Sequence, residues 1–152
     1  MSTIIRPLRW RDAAYCWRVA AEPTVRAMSF DPSPPTLRKH LRWMWRNLYG
    51  KDDRAWVVVV DPDGFYMRAG VATLRHRDYG WYIGMAIEPW ARGKGVGTAA
   101  VRLTTVEAPK NHAVFAAIKQ GNIDSLRLFH SAGYGNDIQR RDGSWLLYHP
   151  AR

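Results

Sequence analysis

The sequence predicts a single α+β domain, residues 1–152, with a mixed and mostly antiparallel sheet and about four helices. Three observations lead to this prediction. Apolar residues recur at helical spacing in separate segments, β-branched runs bounded by turn residues indicate strands, and the elements follow the order β-α-α-β-β-β-α-β-α-β-β. A chain of 152 residues has room for one such domain and its core.

The first elements are predicted to be a strand, a helix and a long loop. Ile4 to Leu8 forms the strand, and Asp12 is placed to cap a helix that runs to about Ala21. Pro23 ends this helix. Residues 26–35 are rich in proline and are predicted to be a loop, since proline cannot continue a helix.

A second helix is predicted between Thr36, its N-cap, and Gly50, where it stops. Its apolar positions recur at helical spacing, and we expect them to face the core. These positions are Leu37, Leu41, Met44 or Trp45, and Leu48.

The middle of the chain predicts an antiparallel meander of three strands. Trp56 to Val60 is a β-branched run too apolar for an exposed edge. Asp61 to Gly64 has turn chemistry and leads into a strand from about Phe65 to Arg75. After a connection at Asp78-Tyr79-Gly80, the next strand runs from Trp81 to Ile87.

The last part of the chain alternates between helices and strands before ending in a strand pair. The predicted order is a helix from Gly97 to Glu107, a strand from Ala113 to Ile118, a helix from Asn122 to Ala132, and strands from Tyr134 to Arg140 and from Ser144 to Tyr148.

The charge fits either a solvated surface or a site for an anionic small molecule, and not a tail that binds nucleic acid by charge alone. The chain has 23 Lys and Arg against 13 Asp and Glu, a formal net charge of +10. The basic residues are dispersed, with no run of five, so we do not expect nucleic acid as a partner. A surface that binds phosphorylated small molecules accounts for the charge equally well.

Several other classes of protein are disfavoured by composition. The single cysteine, Cys16, excludes an internal disulfide and a thiolate metal cluster, and the five histidines lack metal-ligand spacing, so we expect no metal. No apolar run approaches the roughly 20 residues of a membrane span, and no signal segment is apparent. We therefore expect a cytoplasmic protein without a membrane partner.

The stretch from Arg92 to Thr98 is the most informative about function. A strand ends in a glycine-rich turn that opens directly into an amphipathic helix, where main-chain N–H groups and the helix dipole favour an anion. Arg92 and Lys94 add positive charge. The Walker pattern is absent, and no acidic residue follows the next strand to hold a dinucleotide ribose.

Two motifs resemble those of the GCN5-related N-acetyltransferases (GNAT family). Arg92-x-x-Gly95-x-Gly97 is similar to the family's acetyl-CoA pyrophosphate loop. Asn122-x-x-Ser125 followed by Gly133-Tyr134 is similar to its Asn-x-x-Ala/Ser…Gly-Phe/Tyr element. The resemblance covers essentially the whole chain and implies the family fold, in which the fourth and fifth strands splay apart, and an acetyl-CoA-dependent N-acetyltransferase.

The resemblance also assigns the acetyl-CoA site. It implies that the fourth strand offers main-chain groups to the pantetheine arm, that the glycine turn binds the pyrophosphate, and that Asn122 bonds the arm further along. The implied cofactor-binding residues are Met85, Ala86, Ile87, Arg92, Gly93, Lys94, Gly95, Val96, Gly97, Thr98, Asn122 and Phe129.

The proton donor to the leaving thiolate departs from the family pattern. Many members have a tyrosine seven residues after the asparagine, where this chain has Phe129. Ser125 is the nearest polar candidate and is the predicted catalytic residue, although a hydrogen bond to the cofactor or backbone is an alternative role. The general base is left open among Glu88, Tyr82, His76 and Asp78.

The acceptor is predicted to lie under the two N-terminal helices. The Arg26…Ser29-Phe30…His40-x-x-Trp43 pattern resembles family members that acetylate nucleotide-linked amino sugars, which implies a substrate site of Arg26, His40, Trp43 and Tyr82. His40 and Trp43 equally fit roles in packing. A ribosomal-protein-type N-terminal acetyltransferase and an inactive acyl-CoA-binding module are alternatives, and a homodimer is one assembly left open.

Overall fold

The chain folds around one seven-stranded sheet, seen in a computed structural model that describes residues 1–78 and 80–151. The strands are β1 Thr3–Pro7, β2 Asp53–Val60, β3 Met67–Arg77, β4 Gly80–Ile87, β5 Val114–Ile118, β6 Gly135–Gln139 and β7 Trp145–His149. The helices are α1 Ala13–Ala21, α2 Pro23–Ala27, α3 Leu37–Tyr49, α4 Val96–Val106 and α5 Ile123–Ser131. Tyr79, in the predicted connection before β4, lies outside the described residues.

The predicted α+β class and order of elements are confirmed, with one helix added. Pro23 was predicted only to end a helix, but it also begins α2, because proline at the first helical position needs no hydrogen-bond acceptor for its nitrogen. Glu22 caps this short helix by accepting from the N–H groups of Thr24 and Val25 at 3.2 and 3.1 Å. The described residues therefore hold five helices.

The start of the second hairpin strand was also predicted too early. Phe65 and Tyr66 are exposed and precede β3, which begins at Met67. The reason is that Asp63 and Gly64 both have positive φ, so the turn occupies more of the chain than its four predicted residues.

The sheet order is β1-β2-β3-β4-β5-β7-β6, and every pair is antiparallel except β4 and β5. Among the described residues, these two parallel strands pair only at Trp81 with Val114 and at Tyr82 with Phe115. Beyond Tyr82 they separate, which confirms the predicted splayed pair. The rest of β4 therefore has a partner on its β3 side only.

Helices cover both faces of the sheet. On one face α1 and α3 pack over β2 and β3 through a cluster that includes Met44, Val57 and Val71. On the other face α4 and α5 pack through clusters that include Val101 and Ile83. Because residues alternate along β3 and β4, each strand presents one set of side chains to each helix layer. Within the described residues, no helix is long and apolar enough to cross a bilayer.

The buried face of α3 agrees with the predicted one only in part. Met44 is fully buried and Leu48 packs partly buried against the core, as predicted. Leu37 and Leu41 were also predicted to face the core, but they are 54% and 46% exposed. The helix buries His40 and Asn47 as well. The physical reason is that the ring nitrogen of His40 hydrogen-bonds the carbonyl of Ala13 in α1, which makes a polar residue suitable for burial and rotates Leu37 and Leu41 outward.

Candidate active site

The glycine turn after β4 opens toward solvent at its backbone. Gly93 and Gly95 have φ angles of 72° and 80°, the left-handed region that glycine adopts without steric cost. A Cβ added to either would meet no atom within 4 Å. At Gly97, in contrast, a Cβ would lie 2.3 Å from the Leu128 side chain, so this glycine lets α4 approach α5.

The first turn of α4 presents free donors above these glycines. The first hydrogen bond of the helix runs from the N–H of Ala99 to the carbonyl of Gly95 at 3.1 Å, so the N–H groups of Val96, Gly97 and Thr98 precede it. No side chain caps this end. The space over the glycines and the exposed ammonium of Lys94 complete a site suited to an anion.

Arg92 anchors this turn. Its guanidinium donates to the carbonyl of Ile87 at 2.9 Å, to the hydroxyl of Thr24 at 2.8 Å and to the carboxylate of Glu22 at 3.2 Å. The turn is thereby tied to β4 and to α2. The predicted contact of Arg92 with a pyrophosphate stays a prediction.

The splay exposes one main-chain edge of β4. The N–H of Glu88 donates to the carbonyl of Ala69 in β3 at 2.9 Å. Since main-chain groups alternate in direction along a strand, Ala86 turns its groups to β3, while Met85 and Ile87 turn theirs to the gap. The predicted main-chain contacts of an extended ligand therefore fall to Met85 and Ile87, and Ala86 offers a side chain.

A cavity of about 1140 Å³ adjoins this gap and joins most of the predicted residues. Its lining includes Met85, Ala86, Asn122, Ser125 and Phe129 from the predicted cofactor and catalytic sets, and Arg26, His40, Trp43 and Tyr82 from the predicted substrate set. The anion-binding turn lies beyond the C-terminal end of β4, outside this lining. The strand edge thus connects the turn to the cavity.

The N-terminal end of α5 brings a free hydroxyl to the cavity. Asn122 caps the helix by accepting from the N–H of Ser125 at 3.2 Å, which leaves its amide nitrogen available. The Ser125 hydroxyl has no hydrogen bond with the described residues and lines the cavity. One turn later, Phe129 is buried edge-on against Tyr134 at 5.2 Å and provides an apolar wall.

The predicted substrate residues have structural contacts. His40 is buried with its Nε2 2.7 Å from the Ala13 carbonyl, and its ring stacks on Trp43 at 5.8 Å. Arg26 donates to the carbonyls of Asp31 and Ser33 at 3.1 and 3.2 Å, which holds the loop before α3. All four predicted substrate residues also line the cavity. Their role in binding an acceptor stays a prediction.

The candidate bases lie at different positions relative to the large cavity. Glu88 is buried and accepts from Tyr15 at 3.0 Å, Arg18 at 2.7 Å and Trp90 at 3.2 Å, and it lines a different cavity, of about 580 Å³, at the other end of β4. Glu88 is therefore outside the large cavity that contains Ser125, Asp78 and Tyr82.

The remaining candidate bases lie near the N-terminal end of β4. His76 stacks on Trp81 at 5.1 Å and does not line the cavity, whereas Tyr82 and Asp78 do. Sequence reasoning missed the basic residues Arg42 and Arg75, which also line it. For Arg75 the available signal was its alternation with Arg77 on one strand, which places the two on one face.

Comparison with known proteins identifies the family. A family model described as "Acetyltransferase (GNAT) domain" matches residues 3–135. The chain belongs to the GNAT family. The predicted enzyme class follows: this GNAT protein is an N-acetyltransferase with acetyl-CoA as its acyl donor. No curated protein matches its sequence.

Solved structures share the fold at low sequence identity. A domain from Methanocaldococcus jannaschii is 20% identical with a TM-score of 0.82, covering 98% of both chains. Spermidine N-acetyltransferase from Vibrio cholerae, in complex with CoA and spermine, is 15% identical with a TM-score of 0.76, covering 98% of this chain and 95% of that one. An aminoglycoside acetyltransferase in complex with coenzyme A and kanamycin is 15% identical with a TM-score of 0.73 and the same coverage.

Proposed function

We propose that this GNAT enzyme transfers the acetyl group to the primary amine of a small molecule held in the large cavity. One observation carries the proposal: the free edge of β4 runs from the anion-binding turn into a cavity that also holds Ser125. The relatives named for spermidine and aminoglycoside acetylation act on amines, which supports this acceptor class.

The residues present fit acetyl-CoA. Free helix amides and open space over Gly93 and Gly95 suit a pyrophosphate, and the unpaired edge at Met85 suits an extended amide-bearing arm. When bound, acetyl-CoA supplies a thioester carbonyl for attack by the amine. The proposed cofactor-binding residues are therefore those of the turn, the β4 edge and the start of α5.

Three tasks fall to the protein itself. A main-chain N–H at the β4 edge donates to the carbonyl oxygen as negative charge develops there. The hydroxyl of Ser125, which lines the cavity, is proposed to deliver a proton to the departing sulfur, since Phe129 has none to give. The acceptor must reach the cavity as a free amine, and Asp78 and Tyr82 are the candidate bases that line it.

The finer acceptor classes are open to test. None of the relatives named above is named for a nucleotide-linked amino sugar, so that acceptor stays a prediction, as does a ribosomal-protein N-terminus. The neighbours include a spermidine N-acetyltransferase described as dodecameric, and for this chain a homodimer stays a prediction, as does a cytoplasmic location.

The transfer is tested by mixing the protein with acetyl-CoA and a panel of primary amines and following the release of free CoA thiol. We expect release above the rate of hydrolysis with at least one amine. The inactive-module alternative, motivated by Phe129, predicts tight acetyl-CoA binding with no release for any amine. Binding and turnover are therefore measured on the same preparation.

The protein's own thiol is expected not to disturb this assay. Burial, assisted by the charge of Asp12, raises the pKa of Cys16 to about 12. Because the thiolate is the reactive form, native protein at pH 8 should react with a disulfide reagent at least about 100-fold more slowly than protein unfolded in urea. Comparable rates in the two states would contradict the buried position of Cys16.

Ser125→Ala is expected to lower kcat about tenfold with little change in the KM for acetyl-CoA. A general acid contributes about 10²–10⁴-fold, but a thiolate with a pKa near 8.5 leaves readily, so the loss should lie below that range. The helix cap is unaffected, because Asn122 binds the main-chain N–H of this residue. Steady-state kinetics measures the effect.

The matched control is Ser125→Thr, which keeps the hydroxyl and should recover most of the rate. If the alanine variant kept the full kcat, the serine would have only a packing or binding role. If both variants lost activity equally, the cause would be the shape of the site rather than proton transfer.

A further inference from the structure

The large cavity carries an excess of positive charge. Eight Lys and Arg side chains line it against three carboxylates. Asp31 accepts from the N–H and hydroxyl of Ser33 and lies 4.0 Å from the ammonium of Lys39. Asp142 accepts from the N–H and hydroxyl of Ser144. The third carboxylate, Asp78, has no hydrogen bond with the described residues. Eight cations against three carboxylates leave an excess of five positive charges.

Five of the basic residues form one surface, which we call the basic wall. It forms where side chains of α3 and of the end of β3 meet around Asp53 and line the same cavity. The wall consists of Lys39, Arg42 and Arg46 from α3 and Arg75 and Arg77 from β3. Arg75 and Arg77 share a face because they are two residues apart on a strand.

One buried carboxylate, Asp53, neutralises only part of this wall. Arg77 donates to both of its oxygens at 2.7 and 3.2 Å, and Arg46 lies 3.5 Å away. Within the described residues, Arg42 and Arg75 have no carboxylate within 4.0 Å. Burial and the neighbouring charges of Arg77 and Arg46 outweigh Asp53 and lower the pKa of Arg75, as expected where cations are crowded.

The wall is too far along the sheet to serve the phosphates of acetyl-CoA. Arg75 pairs with Tyr82 and Arg77 with Gly80, at the N-terminal end of β4. The anion-binding turn follows Ile87, at the other end. The five residue steps from Tyr82 to Ile87 span about 16 Å of strand. The anion that the wall would bind is therefore not the one at the turn.

We propose that the basic wall binds a phosphate or carboxylate group carried by the acceptor amine, so that the acceptor is an anionic amine. This inference rests on the proposed acetyl transfer. Arginines without carboxylate partners can form charge-assisted hydrogen bonds to such a group. The same positive field disfavours a second cation, so it lowers the pKa of the acceptor ammonium and favours the free amine that attacks. A polycationic acceptor is disfavoured for the same reason.

Matched pairs of amines test the proposal. Glucosamine 6-phosphate against glucosamine tests phosphate, β-alanine against β-alaninamide tests carboxylate, and spermidine represents polycations. We expect kcat/KM to be at least about tenfold higher for the anionic member of one pair, and spermidine to be the poorest acceptor. The responding pair identifies which anionic group the wall accepts.

Variants on one helix separate a local contact from total charge. Arg42→Glu removes a wall residue, whereas Arg38→Glu changes the net charge equally at an exposed position of α3 that does not line the cavity. We expect Arg42→Glu to reduce the anionic preference at least about tenfold and Arg38→Glu to leave it within about twofold. Arg75→Glu provides a second wall variant on β3.

The outcomes distinguish this inference from the proposed function. Equal use of both members of each pair, or a preference for spermidine, would overturn the inference and leave acetyl transfer standing. If acetyl-CoA bound but no amine reacted, the proposed function would fail. The same pairs would then be titrated into the CoA-bound protein, where equal affinities would overturn the inference as well.

Discussion

Gly95→Glu is expected to abolish detectable acetyl-CoA binding while the protein remains folded. The substituted side chain would project into the open space over the turn, where a Cβ meets no atom within 4 Å, and would set a carboxylate against the pyrophosphate. Like charges placed together cost several kcal/mol, which corresponds to a loss of more than about 100-fold in affinity. Isothermal titration of CoA measures it.

The chain offers a matched control for backbone strain. Gly64 lies in the turn between β2 and β3 with a φ of 79°, close to the 80° of Gly95, and a Cβ there also meets no atom within 4 Å. Gly64→Glu should therefore cost a similar roughly 1–2 kcal/mol of stability and leave CoA binding unchanged. Equal loss of affinity in both variants would remove the pyrophosphate assignment from the turn.

The anion-binding turn was predictable because it depends on local sequence. Gly93 and Gly95 have positive φ in the structure, and the helix that follows begins within the predicted segment. The order of elements was predictable for a similar reason, since turn residues and hydrophobic period act within a few positions of each other.

The buried face of α3 could be predicted only in part from its own residues. Leucines at helical spacing indicate a core face, but the burial of His40 depends on the carbonyl of Ala13, which is 27 residues away. The basic wall could be predicted only in its β3 part, because the arginines of α3 reach the end of β3 only through tertiary structure. Such features are set by tertiary contacts, which override local propensity.

The positive charges of the large cavity bear on the acetyl transfer proposed there. Phe129 stands at the position where the resembled family pattern has a tyrosine as proton donor. Of the candidate bases, Glu88 accepts hydrogen bonds from three donors. Under the proposal above, the excess positive charge of the cavity favours an acceptor amine that is already neutral.

Asp12→Asn is expected to destabilise the protein by about 3 kcal/mol at pH 7. The side chain is fully buried at the start of α1 and accepts from Arg6 at 2.9 and 2.7 Å and from the N–H of Arg9 at 2.9 Å, with Arg68 at 3.5 Å. The asparagine side chain has no negative charge to pair with these arginines. Urea unfolding measures the loss, and Asp61→Asn, at a carboxylate bound only by Ser2, should cost less.

The pH dependence of this loss distinguishes charge from shape. Burial acts to raise the pKa of Asp12, but donation from Arg6 and Arg9 outweighs it and holds that pKa below its usual range. Because the pKa of Asp12 is lower in the folded than in the unfolded protein, the ionised carboxylate adds to the free energy of unfolding. This contribution is complete above about pH 4 and is lost as the pH falls through the pKa of Asp12 in the folded protein. The difference between wild type and variant should therefore shrink in acid. A constant difference from pH 7 to pH 3 would show that packing, and not the ion pair, makes this residue necessary.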